Sequence, residues 1–350
     1  MSISIQQAGL QPSPVVNSPA SPKSWLVSPL FDLLFVANVL WWPLAVVLSM
    51  QGTPSVIGPL TLFQIYFLST PHRWITLVMV FFDTDQFWKE PARFGGIGLS
   101  LIAGSLGLVW LACLSPQVTN SLMFLMMVDY AWNAWHFAAQ HAGIARIYGR
   151  FTRPDMPENH VVFERTALRL LVLWAFFRQA ITVSRQNDVF PGLQGLLPEL
   201  HWLDPVIVVP ALIVIARECR DFQMVSRGRL AYLISVISLY MGQLLAIRMG
   251  DQVLMQSLFL GTAVFHSTEY LAVVNWSVQK RTTGIWKYQL SRTGLGLVVF
   301  MVVLGVTNLA INSASAYAWA LITLMVSFLH YAYDGMIWKS KPRTMAKSSL

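Results

Sequence analysis

Charge is scarce in this chain. Only 11% of its 350 residues are Asp, Glu, Lys or Arg, whereas a soluble domain carries about 25%. That shortage excludes an ordinary water-soluble globule. With 55% hydrophobic residues, the chain reads as an all-α polytopic membrane protein. Cysteine is scarcer still. Cys113 and Cys219 are the two present, and the topology below puts them near opposite faces of the membrane, so no disulfide is expected. Residues 1–24 lack a basic start, which argues against a cleaved signal peptide. Rich in Ser, Pro and Gln, they read as a disordered N-terminal tail. No internal repeat is visible, and no connecting loop is long enough to hold a soluble catalytic domain. Any chemistry belongs to a bundle at about 25–338 or to its surface, with 339–350 as a basic cytoplasmic tail.

Apolar stretches are plentiful. A span needs about 20 apolar residues. Ten stretches qualify, at 26–50, 57–82, 96–115, 120–145, 163–183, 202–216, 230–248, 252–276, 293–312 and 316–338. The sixth is the shortest. Basic residues then set the orientation. With the N-terminus inside, the inner segments hold Lys23; Lys89 and Arg93; Arg146, Arg150, Arg153 and Arg165; Arg217, Arg220, Arg227 and Arg229; Lys280, Arg281, Lys287 and Arg292; and Lys339, Lys341, Arg343 and Lys347. The outer loops hold only Arg185 and Arg248, while Arg73, Arg169 and Arg178 lie within spans. That asymmetry obeys the positive-inside rule. It predicts ten helices, both termini in the cytoplasm and a multi-pass place in the inner (plasma) membrane. It also accounts for the net charge of +8 without nucleic acid as a partner. Fourteen Trp suit interfacial anchoring.

Within the apolar stretches stand five histidines: His72, His136, His141, His266 and His330. All fall on even-numbered spans, which run in one direction. Ionisable side chains are costly in lipid and mark functional sites. Depth follows from the first charged residue on the inner side. His72 lies 11 residues before Asp83, His136 lies 10 before Arg146, His266 lies 14 before Lys280 and His330 lies 9 before Lys339. At 1.5 Å per residue that spread is about 8 Å, which helix tilt of about 20° largely absorbs. Four helices can thus present imidazoles to one point in the cytoplasmic half.

Other polar residues keep helical step with them. Asp334 follows His330 by four, Gln140 follows His136 by four, and Glu269 and Tyr270 follow His266 by three and four. Such pairs share a face. His141 sits about 140° around the helix from His136, so one of the two points elsewhere, and His136 is the favoured ligand. His160 and His201 read as loop or interface residues, and Asp83, Asp85, Glu90 and Arg93 as solvated surface. Arg178 reads as a substrate counter-ion or a snorkelling side chain; Arg73 is open.

Mixed imidazole and carboxylate donors on facing helices are how bundles hold di-iron centres. Catalytic zinc needs only three protein ligands, and no H-E-x-x-H motif is present. Magnesium and calcium prefer oxygen. The set points to one or two non-haem irons, with copper or haem as alternatives. His72, His136, His141, His266 and His330 are the candidate ligands. Glu269, Tyr270 and Asp334 are candidate catalytic groups, with Tyr331 as another possible donor. The expected partners are a hydrophobic small-molecule substrate, O₂ and an electron-donor protein on the cytoplasmic side. A haem-binding membrane protein, a proton or metal transporter and a scaffold are the competing classes.

The stretches PH at 71–72, WHFAAQHAG at 135–143, FHSTEYLAVV at 265–274 and HYAYDGMIWK at 330–339 resemble those of uncharacterised bacterial multi-span proteins with intramembrane histidines. In architecture the chain is also similar to the Brp/Blh-type membrane carotene dioxygenases, whose histidines are dispersed over several helices. That resemblance implies iron, O₂ and an isoprenoid or lipid substrate. No motif matches residue by residue, so no functional residue carries over. The H-x-x-x-H and H-x-x-H-H boxes of membrane desaturases are absent.

Overall fold

A computed structural model describes residues 24–51, 54–83, 87–114, 118–153, 156–186, 200–220, 226–279, 281–290 and 293–338. Nearly all of the N-terminal tail, the C-terminal tail and the depth markers Lys280 and Lys339 lie outside these residues. Among the described residues the chain is all-α, with no strand. The first stretch is broken: α1 (Pro29–Phe31) runs into a π-helical turn at Asp32–Val36, and α2 (Trp41–Met50) follows at a bend of 41°. Asn38 forms the corner at φ +55, a conformation Asn tolerates, and its side chain accepts from Trp42 N at 3.0 Å.

The second stretch is one helical run whose middle is π-helical: α3 (Pro54–Phe63), Gln64–Ser69 and α4 (Thr70–Phe81). The others are α5 (Pro91–Leu114), α6 (Val118–Thr152), α7 (Glu158–Gln186), α8 (Asp204–Arg220), α9 (Arg227–Met249), α10 (Gln252–Val278), α11 (Gly294–Ala314) and α12 (Ala316–Ile337). Each predicted stretch therefore falls on helix. Among the described residues, seven helices are long and apolar enough to cross a membrane, or up to eight if the bent pair is one span. The α3–α4 run and α6 are not among them. These two runs carry His72, His136 and His141.

Local chemistry sets the boundaries. Ser226, Asp251, Thr293 and Ser315 cap α9, α10, α11 and α12 by accepting backbone N–H groups, each worth about 1 kcal/mol. Gly250, at φ +69, ends α9 and lets α10 turn back at once.

α10 is the central element. Of its most apolar stretch 78% is buried, against 11% for α11 and 17% for α5 and α8. α2, α4 and α9 surround it, while α12 packs on α4, α5 and α6. α2 comes closest at Gly261, where a Cβ would stand 2.9 Å from Val46 Cγ2 and 3.4 Å from the Trp42 carbonyl oxygen. On α11, Val298, Val299, Val302, Val303 and Val306 point outward as an apolar face.

Buried ion pairs tie the ends together. Arg229 is 1% exposed and donates to Glu218 at 2.6 Å and to Glu164. Asp83, expected on the solvated surface, is instead buried and accepts from Arg281 and from Thr283 at 3.3 Å. Its partners lie some two hundred residues along the chain, and removing Arg281 would take away the charge that faces a buried carboxylate. Glu90 and Arg93 do form an exposed pair, at 2.6 Å. Arg178 lies 3.5 Å from Asp204, which also accepts from Trp174 Nε1 at 2.7 Å. This ion pair ties Arg178 to the start of α8.

Candidate metal centre

Four imidazoles meet in the middle of the bundle. His72 comes from α4, His136 from α6, His266 from α10 and His330 from α12. Their rings form a closed cycle. Centroids are 5.1 Å apart for His72–His266, 5.0 Å for His266–His136, 4.5 Å for His136–His330 and 4.9 Å for His330–His72. Neighbouring planes cross at 89°, 81°, 68° and 90°. All four are buried.

Those distances match a shared cation. An imidazole nitrogen sits about 2.1 Å from a bound metal, which puts the ring centre about 3.2 Å away. Neighbouring centres would then be about 4.5 Å apart in a square and about 5.2 Å in a tetrahedron. The observed range falls within these limits. His330 Nε2 and His136 Nε2 are 3.0 Å apart, the separation of two nitrogens bound about 2.1 Å from one ion at a right angle. The donors form two groups, His72–His266–His330 and His136–His330–Asp334, which share His330. The donors thus divide between two three-residue groups joined through His330.

His266 gives the sharpest sign. It is completely buried, yet neither ring nitrogen has a hydrogen-bond partner. Phe137 stacks on its face at 3.6 Å and 15°. Leaving such polar atoms unmatched costs about 1–3 kcal/mol, and a cation held by the His72–His266–His330 group would satisfy one of them.

Outer partners orient the other rings. Ser267 Oγ lies 3.2 Å from His72 Nδ1 and 3.2 Å from Ser69 Oγ. Ser69 is the last residue of the π-helical turn, and Pro71 in the next turn cannot donate a backbone hydrogen bond. π-helical turns are frequent at functional sites. Thr76 Oγ1 lies 2.7 Å from His330 Nδ1, 3.0 Å from Asp334 Oδ1 and 2.5 Å from Tyr270 OH. Tyr270 OH also donates to Asp334 Oδ1 at 2.5 Å. If Thr76 gives its single proton to Asp334, its oxygen accepts from His330 Nδ1–H. His330 Nε2 is then left as the lone-pair donor. Such fixing of a ligand's tautomer is how metal sites are tuned.

His141 stands apart. Its Nδ1 lies 3.0 Å from Glu269 Oε1 and 3.0 Å from Tyr232 OH, and its Nε2 lies 3.1 Å from Tyr240 OH. Glu269 also accepts from Tyr232 at 2.9 Å and from Gln140 at 2.7 Å. This is a second, closed polar network beside the imidazole cycle, 6.5 Å from His266 between ring centres. The five-residue spacing from His136 turned the ring toward α9. The structure thus places neither His141 nor Glu269 in either donor group.

Of the remaining sequence candidates, Tyr270 and Asp334 border the cycle, and Asp334 Oδ2 comes within 3.8 Å of His136 Nε2. The Tyr331 ring lies tilted beside His136, but its hydroxyl turns away, 3.0 Å from Asn133 Oδ1 and 3.3 Å from Asp129 Oδ1. His160 and His201 are exposed. Sequence reasoning missed Thr76, Ser267, Tyr232 and Tyr240. Thr76 had a signal, lying four residues after His72 on the same face. The two tyrosines had none, because α9 carries no histidine. No protein-family model, curated protein or solved structure matches this chain, so the reading of the site rests on its own geometry.

Proposed function

We propose that the chain is an integral-membrane non-haem iron oxidoreductase, oxygenase- or hydroxylase-like, that acts with O₂ on a hydrophobic lipid or isoprenoid substrate. The observation that carries this reading is His266, buried with both nitrogens unpartnered in a ring of four imidazoles. Imidazole with a nearby carboxylate suits iron. His72, His136, His266 and His330 would hold the ion, and iron would supply O₂ activation. The chain's own residues supply the setting. Thr76 fixes His330, Ser267 faces His72, and Asp334 with Tyr270 forms a short hydrogen-bonded pair able to hold a proton beside the donors. The surrounding apolar bundle keeps water out. Glu269 and His141 brace α6 and α9 against α10.

The same proposal includes ten spans with both ends in the cytoplasm of an inner (plasma) membrane, and an electron donor on that side. A haem is a poorer fit, since imidazoles with centres 4.5 to 5.1 Å apart leave no slot for a macrocycle between them.

The test is oxygen uptake by protein loaded anaerobically with ferrous iron. The ferrous form should react with O₂, and a carotenoid or other isoprenoid chain in the micelle should accelerate uptake. Protein that takes up no iron, or an iron-loaded form inert to O₂, would overturn the reading.

A further inference from the structure

A second site lies away from the imidazole cycle. A cavity of about 360 Å³ opens where α6, the start of α7 and the start of α9 meet. Its walls carry Arg146 and Arg150 from α6, Arg165 from α7 and Arg229 from α9, against Glu158 and Glu164. The wall side chains alone carry two more positive than negative charges in a pocket of ligand size, and Glu218 behind the wall takes up part of the Arg229 charge. Arg146 and Arg165 have no carboxylate within ion-pair distance among the described residues. Arg229 is 1% exposed, and its Nε is buried without a hydrogen-bond partner. That atom faces Gly149, another wall residue, where a Cβ would stand 4.0 Å away.

A buried guanidinium that keeps one N–H unmet beyond its two carboxylate partners, beside two further arginines with no carboxylate at ion-pair distance, matches an oxyanion with several acceptor oxygens. Phosphate suits such forks better than a single carboxylate does. The cavity also lies at the end of the bundle where basic loops collect, and basic pockets between helices on that side recognise lipid phosphates. We infer that this cavity binds a phosphate-bearing anion, either the headgroup of an anionic lipid or a free phosphate ester or diphosphate. The inference does not depend on the metal centre.

Titration calorimetry of the detergent-purified full chain tests it, with inorganic pyrophosphate in one arm and phosphatidylglycerol-doped micelles in the other. Phosphatidylcholine micelles serve as the reference. Saturable binding of pyrophosphate would identify a soluble phosphate compound, and binding of phosphatidylglycerol alone would identify a lipid headgroup. Arg146→Gln and Arg165→Gln should each weaken binding about tenfold. Lys287→Gln, at an exposed position on another loop, should leave it unchanged. An unchanged gel-filtration profile and thermal melt show that each variant is folded. No binding in either arm, or equal loss in the Lys287 variant, would overturn the inference.

Discussion

Replacing His266 by Phe separates a ligand from a structural histidine. In the protein without metal, the imidazole buries two polar atoms that nothing satisfies, a penalty of about 1–3 kcal/mol. Phenylalanine removes that penalty and keeps the stack on Phe137 at 3.6 Å. Its larger ring costs up to about 1–3 kcal/mol of overpacking. Stability of the metal-free form should therefore change by no more than about 2 kcal/mol in either direction. Metal binding should respond very differently. A four-ligand site contributes about 10–16 kcal/mol in small zinc domains, so one ligand is worth about 3 kcal/mol, or about 100-fold in affinity. Chelator competition reads the affinity, and unfolding in mixed micelles reads the stability. A variant that binds metal within about threefold of the parent would refute the reasoning. So would a metal-free form that loses much more stability than the estimate allows, because His266 would then have a structural partner.

Three further outcomes follow. Thr76→Val keeps shape but removes the hydroxyl beside His330 Nδ1, Asp334 and Tyr270, and metal affinity should fall about 10–100-fold. Tyr232→Phe leaves Glu269 and His141 short of a partner and should cost about 1–3 kcal/mol of stability with metal stoichiometry intact; thermal melts alongside metal analysis check both halves. Cys219 is exposed near the end of α8, so in a Cys113→Ser background an impermeant maleimide should label it only after the cytoplasmic face is opened. Labelling in intact cells would invert the topology.

Sequence and structure meet where the physics is local. Helices were legible because apolar stretches of membrane length leave little choice. The four ligand candidates were legible because imidazoles are expensive in lipid, and because equal depth on parallel helices brings side chains to one plane. The divided roles of His136 and His141 follow from helix rotation alone. What stayed hidden depends on partners far along the chain. Asp83 reads as a loop carboxylate until Arg281 closes over it. Tyr232 and Tyr240 join the polar interior only because α9 packs on α6 and α10. The π-helical turn before His72 has no sequence mark, since Gln64–Ser69 reads as ordinary apolar helix.

Metal analysis of the full chain, purified in detergent without chelator, tests the central claim most directly, with His72→Ala, His136→Ala, His266→Ala, His330→Ala and His141→Ala in parallel. The account predicts one or two irons per chain in the parent and in the His141 variant, and loss of metal in each of the other four while the fold survives. A metal-free parent, or metal retained in all four ring variants, would contradict it.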